Sequence, residues 1–417
     1  MVIKSLSEIS INISSGLTPL RSNPEYWVNG TIPWLKTEQL GEKYIYDTNE
    51  YISSVALEKT SIKIFPEESL SIAMYGEGKT RGNVSILKKP MTTNQACCNV
   101  VIDPKKADSE YVYYFLKTQY EELRNLSSGV RKNLNSNDIK NYPIRLPETL
   151  NSQRKIAGVL TALDAKIELN NRINTELEAM AKTLYDYWFV QFDFPDANGK
   201  PYKTSGGKMV YNSTLKREIP EEWTDGTLSD LGQIVGGSTP STDKPVNFSA
   251  NGTPWITPYD LSNNRGNKFI TRGIQDVSEE GMKDASLKKY PAGTVLLSSR
   301  APIGYMAIAR NELTTNQGFK SFIPNCGYST PFIYYTVKGS LKVITQYASG
   351  STFKEISSAV LKTVKVCLPN SDVVEYFTRT VEPIFNQQDL VERENESLTQ
   401  LRDWLLPMLM NGQVTVK

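Results

Sequence analysis

Two long stretches of the chain place apolar residues at alternating steps of four and three. One begins at Asn151 and reaches Phe189, and the other runs from Phe377 to Leu409. This heptad pattern predicts two long helices with apolar seams. The predicted interface positions are Ile156, Leu160, Leu163, Ile167, Asn174, Leu177 and Leu184 in the first helix, and Phe377, Val381, Ile384, Val391, Asn395, Leu398 and Leu405 in the second.

Each seam is polar near its middle. Asn174 and Asn395 lie at the same place in the two patterns. A buried Asn costs stability but fixes helix register, because its amide needs a partner. We therefore expect the helices to pack antiparallel, with Asn174 facing Asn395 across a pseudo-two-fold axis. Parallel pairing, and packing of each helix on its own globular unit, are the alternatives. Arg402 interrupts the second seam, where the neighbouring Leu401 is able to take its place.

The rest of the chain contains the same unit twice. SGLTPLRSNPEYWVNGTIPWLKTEQL in the first half matches GGSTPSTDKPVNFSANGTPWITPYDL in the second, which pairs Trp34 with Trp255. Further matches join the two TTNQ strings, at 92–95 and 314–317, and the two Ser-Gly pairs, at 128–129 and 349–350. The shift is 221 or 222 residues throughout. One unit used twice explains this match.

Within each unit, short β-branched and aromatic runs such as SIAMY, NVSIL and CCNVVI predict strands. A helix is expected around Glu110 to Leu126, and its repeat partner around Pro331 to Gln346. This mixed order predicts an α+β fold. The predicted organisation is a first globular domain at 1–150, a helix at 151–190, a linker at 191–222 rich in Gly, Pro, Ser and Lys, a second domain at 223–370 and a helix at 371–411.

Composition removes several kinds of chemistry. The chain has no histidine, which excludes Ser-His-Asp and Cys-His pairs and HExxH metal sites. Its four cysteines, of which only Cys97 and Cys98 are adjacent, lack the CxxC spacing of zinc or redox sites, so we expect reduced thiols and no bound metal. The net charge of +2 confines any basic surface to a local patch. No secretory or membrane-spanning segment is evident, and a cytoplasmic protein without membrane contact is expected.

One string resembles a nucleotide-binding loop. Residues 73–80, AMYGEGKT, satisfy a relaxed P-loop pattern, which would need a following helix to bind phosphate. The residues after it read as a strand, and the repeat partner SSRAPIG lacks the pattern. Nucleotide binding is therefore the least favoured function.

The two repeats, their NGT(I)PW strings, the heptad helices and the central FDFPDANGKPYKTSGGKMV and REIPEEW segments resemble the DNA specificity subunit of type I restriction-modification systems. The resemblance covers essentially the whole chain. It implies two target-recognition domains that each read one half of a bipartite site in double-stranded DNA, and helices that act as a ruler. Roughly 35 helical residues at ~1.5 Å each make a spacer of about 50 Å, longer than one ~34 Å turn of duplex DNA.

The resemblance also implies partners and cofactors. Two modification subunits, carrying S-adenosylmethionine and the adenine methyltransferase activity, would bind the helices and adjoining segments, and restriction subunits, which use ATP and Mg²⁺, would join them. The helix ends at Tyr187–Phe189 and Pro407–Leu409 are the places expected to contact modification subunits. The chain itself is expected to be non-catalytic and to bind no cofactor, because its nearest string to an NPPY motif, Asn23-Pro24-Glu25-Tyr26, lacks the second proline.

The residues expected to contact DNA lie in loops where the two repeats differ while the framework glycines and tryptophans match. Basic and small polar side chains at these positions can reach phosphates or base edges. Each of them could instead be a solvated surface residue. The predicted set is Lys36, Thr37, Lys79, Thr80, Arg81, Arg131 and Lys132 in the first unit, and Thr257, Tyr259, Ser299, Arg300, Thr352 and Lys354 in the second.

Residues that recur in both copies are expected to be structural. The TTNQ strings are predicted to form a turn or a buried hydrogen-bond network, and Trp34 and Trp255 to be core anchors that do not stack on bases. A tandem-repeat protein scaffold that does not read DNA is the second interpretation of the chain.

Overall fold

The computed structural model describes residues 1–76, 78–126, 133–300, 302–325, 327–347 and 355–416. The chain forms two compact units. Unit 1 comprises Met1–Ile167 and Ser397–Lys417, and unit 2 comprises Glu168–Glu396. The two long helices, α5 (Leu150–Tyr185) and α10 (Ser371–Met410), each contribute a segment to both units.

Unit 1 contains short strands and a few helices. Its strands are β1 (Val2–Ser5), β2 (Ser10–Ser15), β3 (Ile32–Leu35), β4 (Tyr44–Ile45), β5 (Glu50–Ile52), β6 (Leu70–Ala73), β7 (Val84–Leu87), β8 (Thr92–Thr93), β9 (Cys97–Ile102) and β10 (Pro143–Leu146). Its helices besides the long ones are α1 (Ser54–Lys59), α2 (Ser109–Thr118), α3 (Tyr120–Asn125) and α4 (Ser136–Lys140).

Unit 2 repeats this plan. Its strands are β11 (Met209–Asn212), β12 (Arg217–Pro220), β13 (Thr224–Thr227), β14 (Gly232–Val235), β15 (Phe248–Ser249), β16 (Thr253–Ile256), β17 (Phe269–Ile270), β18 (Gln275–Val277), β19 (Val295–Leu297), β20 (Met306–Ala309), β21 (Thr314–Thr315), β22 (Ser321–Pro324) and β23 (Lys365–Leu368). Its helices are α6 (Pro258–Asn263), α7 (Glu279–Asp284), α8 (Thr330–Gln346) and α9 (Ser358–Leu361), and a π-helical turn, Asp186–Val190, extends α5.

The five-stranded sheets of the two units have the same strand order, and the smaller sheet has one more strand in unit 2. The five-stranded sheet runs β2-β9-β6-β7-β4 in unit 1 and β14-β22-β19-β20-β17 in unit 2. A smaller sheet, β5-β3-β8 or β15-β18-β16-β21, contains the repeated tryptophan strand. Trp34 pairs with Thr92 in parallel, and Trp255 pairs with Thr314 in the same way. The α+β fold class with two repeated units, predicted from the sequence match, is confirmed.

The central strands are covered on both faces. All four residues of β6 and of β7 are buried, and they are apolar except for Ser71 and Ser85. Helix α2 covers one face with a nearly continuous buried series from Tyr111 to Leu116. Asp108 caps its first turn by accepting from the Tyr111 amide at 3.0 Å. This helix ends at Thr118, so the single helix predicted over Glu110 to Leu126 is divided into α2 and α3, whereas α8 is continuous.

The long helices run antiparallel in each unit taken by itself. In unit 2, Asn170 contacts Asn395, and Trp188 packs on Phe377 with ring centroids 5.7 Å apart. Residue numbers thus rise along α5 as they fall along α10. In unit 1, the Arg402 guanidinium lies 3.0 Å from Asp164. The predicted antiparallel arrangement of the helices is confirmed.

The predicted pairing of Asn174 with Asn395 is wrong. The Asn170 amide donates to Asn395 Oδ1 at 2.9 Å, and the Asn395 amide donates to Asn171 Oδ1 at 2.8 Å. Asn174 lies one turn further along, where its backbone carbonyl accepts from Gln388 at 3.4 Å. Its side-chain oxygen is buried without a hydrogen-bond partner among the described residues. In an antiparallel pair, residues at matching repeat positions do not generally face each other.

Two further expectations need correction, one about the seam of α10 and one about the linker. Leu401 does not replace Arg402 on the seam, because Leu401 is 42% exposed, while Arg402 turns inward to Asp164. Within unit 2, the predicted linker at 191–222 packs on the globular core, where Phe194 stacks on Trp223 with centroids 5.0 Å apart. Its later part forms the β11–β12 hairpin.

One lysine in each unit, half-buried Lys43 in unit 1 and buried Lys268 in unit 2, joins the globular part of the unit to a long helix. Lys43 Nζ contacts Glu110 at 2.6 Å and donates to Thr161 of α5 at 2.9 Å. Lys268 Nζ contacts Glu178 of α5 and donates to Gln388 of α10, both at 2.7 Å. Burial lowers the pKa of Lys268 to about 8. These contacts hold β4 or β17, the next strand after the tryptophan strand of each unit, against the helices.

Candidate nucleic-acid interface

In unit 1, two of the predicted DNA-contacting loops lie side by side. Lys36 and Thr37 lie where β3 passes into a 3₁₀ turn, Thr37–Gln39. Lys79, Thr80 and Arg81 lie in the β6–β7 turn, defined here as the described residues 74–76 and 78–83. The Asn83 amide at the end of that turn donates to the Leu40 carbonyl at 3.1 Å. The fold therefore brings together two loops that are distant in sequence.

The two loops differ in their available charge. Lys36 Nζ lies 2.7 Å from Glu38 and 2.7 Å from Glu50. The hydrogen bond to Glu38 raises the pKa of Lys36, so its charge is retained but compensated. Glu50 also binds Arg21, which lowers the pKa of the Glu50 carboxyl. Lys79 is exposed, and the β6–β7 turn is therefore the more cationic of the two loops.

The β6–β7 turn is a hairpin and not a phosphate-binding loop. Residues Val84–Leu87 form β7, which pairs antiparallel with β6 in the register Leu70 with Ile86. A P-loop needs a helix whose amide groups point at the phosphates. The strand at this position supplies none, so the AMYGEGKT string is a chance match to the pattern.

In unit 2, some of the predicted residues are engaged within the protein. Ser299 is fully buried, and its amide donates to the Gly318 carbonyl at 2.7 Å. The Thr257 hydroxyl donates to Asp260 at 2.6 Å in the cap of α6. The assignment of Ser299 to DNA contact is therefore wrong, since its side chain cannot reach a ligand. Thr257 caps α6, and its hydroxyl is therefore already bound to Asp260.

Tyr259 and Arg300 of unit 2 are accessible. Tyr259 is 58% exposed on the first turn of α6. Arg300 is half-buried and pairs through its backbone with Glu355. Lys320, which the sequence did not single out, lies 3.8 Å from Glu355 and is near the same bridge. Arg131, Lys132, Thr352 and Lys354 lie outside the described residues.

The recurrent residues form matching scaffolds beneath the loops. Trp34 Nε1 donates to the Leu17 carbonyl at 3.0 Å, and Trp255 Nε1 donates to the Ser238 carbonyl at 3.1 Å. Both tryptophan side chains are buried, as predicted for core anchors. Each TTNQ string binds the opening loop of its unit through its glutamine, which accepts from Thr18 in unit 1 and from Thr239 in unit 2. The prediction that these strings are structural is confirmed.

Comparison with known proteins agrees with this repeated architecture. The family model of the type I restriction modification DNA specificity domain matches residues 1–179 and again residues 220–400. The chain belongs to this family. It is a type I restriction-modification specificity subunit with two recognition domains.

Individual relatives support the assignment. The chain is 38% identical over 200 residues to the MjaIX specificity subunit of Methanocaldococcus jannaschii, a match that covers 45% of each chain. This match therefore spans less than half of that relative. It is 27% identical over 338 residues to the HindI specificity subunit of Haemophilus influenzae, which covers 69% of this chain and 72% of the relative.

A solved structure shares the fold. The crystal structure of a type I restriction-modification S subunit from M. genitalium superposes with a TM-score of 0.62 at 17% identity, covering 98% of this chain and 95% of that one. In the described part of this specificity subunit, no helix is long and apolar enough to cross a membrane. The same residues contain no group of three acidic or cysteine side chains placed to hold a metal ion.

Sequence reasoning missed the residues that hold the loops of this specificity subunit in place. Tyr120 and Arg124 of α3 bind the backbone of the β6–β7 turn. Their repeat positions are Leu341 and Thr345, so both differ between the copies. That difference was a usable signal, because variation between the repeats was the criterion that selected the loop residues themselves.

Proposed function

We propose that this specificity subunit reads a bipartite site in double-stranded DNA, with one recognition domain for each half-site. The observation that carries the proposal is the repeat of one scaffold with different loop residues. Trp34 and Trp255 make equivalent hydrogen bonds, whereas the adjoining turns contain Lys79 and Arg81 in unit 1 and Arg300 in unit 2. Matching scaffolds with different side chains in the corresponding turns favour recognition of two different half-site sequences.

The chemistry of these turns suits a duplex. Arginine can donate two hydrogen bonds to the O6 and N7 atoms of guanine, and lysine neutralises phosphate. Tyr259 adds an exposed aromatic hydroxyl on the first turn of α6. Because net charge is only +2, DNA attraction must come from such local groups, and binding should weaken as salt rises.

The long helices are proposed to set the distance between the two half-sites. Their buried polar contacts, such as Asn170 with Asn395, fix one register, since sliding one helix along the other would leave the amides unpaired. A fixed register gives a fixed spacing, which a ruler requires.

The helices also carry exposed apolar residues at matched repeat positions. Leu169 is 47% exposed and its repeat partner Leu390 is 61% exposed. Met180 is 54% exposed and its partner Leu401 is 42% exposed. The two positions on each helix are eleven residues apart, about three turns, and so share one face. Two equivalent apolar stripes suit two copies of one partner, which we infer to be the modification subunits.

This placement revises the contact sites predicted at the helix ends. Trp188 and Phe189 are buried in the core of unit 2, and Leu409 is buried in that of unit 1. Tyr187 and Pro407 remain exposed, so the ends can contribute only part of the predicted contact. We place the main contact on the stripes.

In the proposed assembly, this chain supplies recognition and its partners supply catalysis. S-adenosylmethionine and methyl transfer belong to the modification subunits, and ATP with Mg²⁺ to the restriction subunits, in the cytoplasm. The chain has no histidine, and its one P-loop-like string is a hairpin. Both observations favour a non-catalytic role.

Selection from random duplexes tests the proposal. The full chain together with its modification subunits should enrich two short motifs separated by a fixed gap. The modification subunits alone are the control and should enrich neither motif. Failure of the complex to enrich any sequence would support the scaffold interpretation and overturn this one.

A further inference from the structure

The β6–β7 turn of unit 1 is held by side chains from outside the hairpin. The Tyr120 hydroxyl donates to the Lys79 carbonyl at 2.6 Å, and Arg124 Nη2 donates to the Gly78 carbonyl at 2.9 Å. Both side chains belong to α3. The helix therefore holds two consecutive peptide units of the turn, those that begin with the carbonyls of Gly78 and Lys79. Thr80 and Arg81 follow directly.

The two clamping side chains also support each other. Arg124 Nη1 donates to the Tyr120 hydroxyl oxygen at 2.9 Å, and the guanidinium lies 5.3 Å from the Tyr120 ring centroid. The residues are four apart and so share one face of α3. A planar guanidinium that binds a carbonyl and a hydroxyl at once has little rotational freedom left.

The end of the turn is fitted to the same helix. Gly82 has a φ of +87°, a conformation that favours glycine. A Cβ atom at this position would lie 3.1 Å from Arg124 Cγ and 3.5 Å from the Tyr120 ring. The backbone at Gly82 thus lies close to α3, and a methyl group on its Cα would be crowded by Arg124 and Tyr120.

Unit 2 holds its corresponding turn differently. Gly304, the repeat partner of Gly82, also has a positive φ of +93° but faces Leu341, whose Cδ2 lies 3.8 Å from a Cβ built there. The turn is braced from within, because Ser298 Oγ donates to the Pro302 carbonyl at 2.7 Å and accepts from the Tyr305 amide at 2.8 Å. The polar clamp is therefore a feature of unit 1.

We propose that Tyr120 and Arg124 are positioning residues for DNA reading by unit 1, an inference that rests on the proposed function. Base recognition requires donors held within about half an ångström, whereas phosphate attraction tolerates a mobile loop. The clamp holds the backbone that carries Lys79, Thr80 and Arg81 in one geometry. Its loss should therefore reduce discrimination more than affinity.

The test uses the full chain with its modification subunits and compares wild type with Tyr120→Phe, Arg124→Met and Arg124→Lys. Selection gives the base preference at both half-sites. Competition with a duplex whose unit 1 half-site is scrambled then gives the specificity ratio. Tyr46→Phe and Arg379→Met, which change exposed side chains outside the turn and outside α3, are matched controls.

Both Tyr120→Phe and Arg124→Met should broaden one half-site and lower its specificity ratio by about tenfold. Affinity for scrambled DNA should stay within about twofold of wild type, and the other half-site should stay unchanged. Arg124→Lys should behave like Arg124→Met, because a lysine cannot bridge the carbonyl and the hydroxyl. Tyr120→Phe removes only a hydroxyl, so it keeps the test valid if an Arg124 variant fails to fold.

Three results would overturn the inference. One is an unchanged half-site in Tyr120→Phe. Another is equal broadening of both half-sites. The third is full rescue by Arg124→Lys, which would make Arg124 a phosphate contact. If the wild-type complex enriches no motif, the proposed function itself is wrong. If the wild-type complex enriches two motifs and the variants enrich the same two, only the inference about Tyr120 and Arg124 is wrong.

Discussion

The side-chain amide of Asn170 donates to Oδ1 of Asn395 at 2.9 Å, inside the helix pair of unit 2. Asn170 is 1% exposed and Asn395 is 9% exposed. Asn170 also donates to Glu394 at 2.8 Å, and Asn395 donates to Asn171 at 2.8 Å. The polar middle of the seam is thus a hydrogen-bonded network that specifies which residues of α5 face which residues of α10.

This network predicts a non-additive response to substitution. Asn395→Leu should destabilise the protein by roughly 1–3 kcal/mol, because it leaves the buried Asn170 amide without one partner. Asn170→Leu combined with Asn395→Leu should recover much of that loss, since apolar pairs commonly replace buried polar pairs without cost. Urea unfolding of the two single variants and the double variant measures the coupling. Additive losses would show that the two side chains act independently.

A buried arginine gives a second prediction. The Arg310 side chain is 3% exposed and contacts Asp389, Glu392 and Glu396 of α10. Arg310→Met should cost about 3–5 kcal/mol, because Glu392 is only 1% exposed and would lose its cation.

The matched control for Arg310 is Arg379→Met. Arg379 is 73% exposed and pairs with Glu375 on the helix surface, so its loss should cost less than about 1 kcal/mol. The urea concentrations at the unfolding midpoints of Arg310→Met and Arg379→Met, compared with that of wild type, measure the two losses of stability. Similar small losses would mean that the Arg310 cluster does not hold the globular part of unit 2 to α10.

The same cluster predicts a pH dependence. Burial raises the pKa of Glu392 from an ordinary 4.5 to about 7, although the Lys268 and Phe269 amides and Arg310 partly oppose the shift. The folded state therefore binds this proton more tightly than the unfolded state. Stability from Glu392 is present below pH 4.5 and is lost as pH rises through 7.

Comparison with Glu392→Gln isolates this contribution. Between pH 4.5 and 7, wild type should lose stability relative to the variant, as measured by urea midpoints at half-unit steps. Lys268 titrates in the opposite sense, since its lowered pKa of about 8 costs stability as pH falls through that value, but it is present in both proteins. Parallel pH profiles would contradict the assignment of a raised pKa to Glu392.

The exposed stripes predict the stoichiometry of the assembly. Leu169→Glu with Met180→Glu should remove one of two modification subunits, because charge at an apolar contact is costly to desolvate. The corresponding pair, Leu390→Glu with Leu401→Glu, should remove the other. Native mass spectrometry of the complexes counts the bound subunits.

A control for these variants is Ile274→Glu, which changes an exposed side chain in the globular part of unit 2. It should leave both partners bound. Retention of both modification subunits by the two stripe variants would place the contact elsewhere on the chain.

Local signals in the sequence predicted much of the architecture. Heptad spacing predicted α5 and α10, the repeat that matches Trp34 with Trp255 predicted two equivalent units, and the mixed order of strand-like and helix-like runs predicted their α+β class. The equivalent strand pairings of Trp34 and Trp255 were not predicted. These features depend on periodicity and turn chemistry, which neighbouring residues determine.

Tertiary contacts determined the features that the sequence did not predict. Facing positions in an antiparallel pair depend on the packed register, so Asn395 contacts Asn170 although it matches Asn174 in the repeat. Ser299 has the small polar side chain of a reading loop, but its backbone bond to Gly318 places it in the interior. The clamp by Tyr120 and Arg124 likewise joins residues 41 and 46 positions apart in the sequence, which only the folded chain brings together.

Half-site preferences of two single variants test the central claim most directly. Selection from random duplexes is performed on complexes that contain the wild-type chain, Arg81→Ala or Arg300→Ala. The account predicts that Arg81→Ala changes the preferred bases in one half-site only, and that Arg300→Ala changes them in the other half-site only, with the gap constant. Equal weakening of both half-sites by each variant would contradict the assignment of one DNA word to each recognition domain.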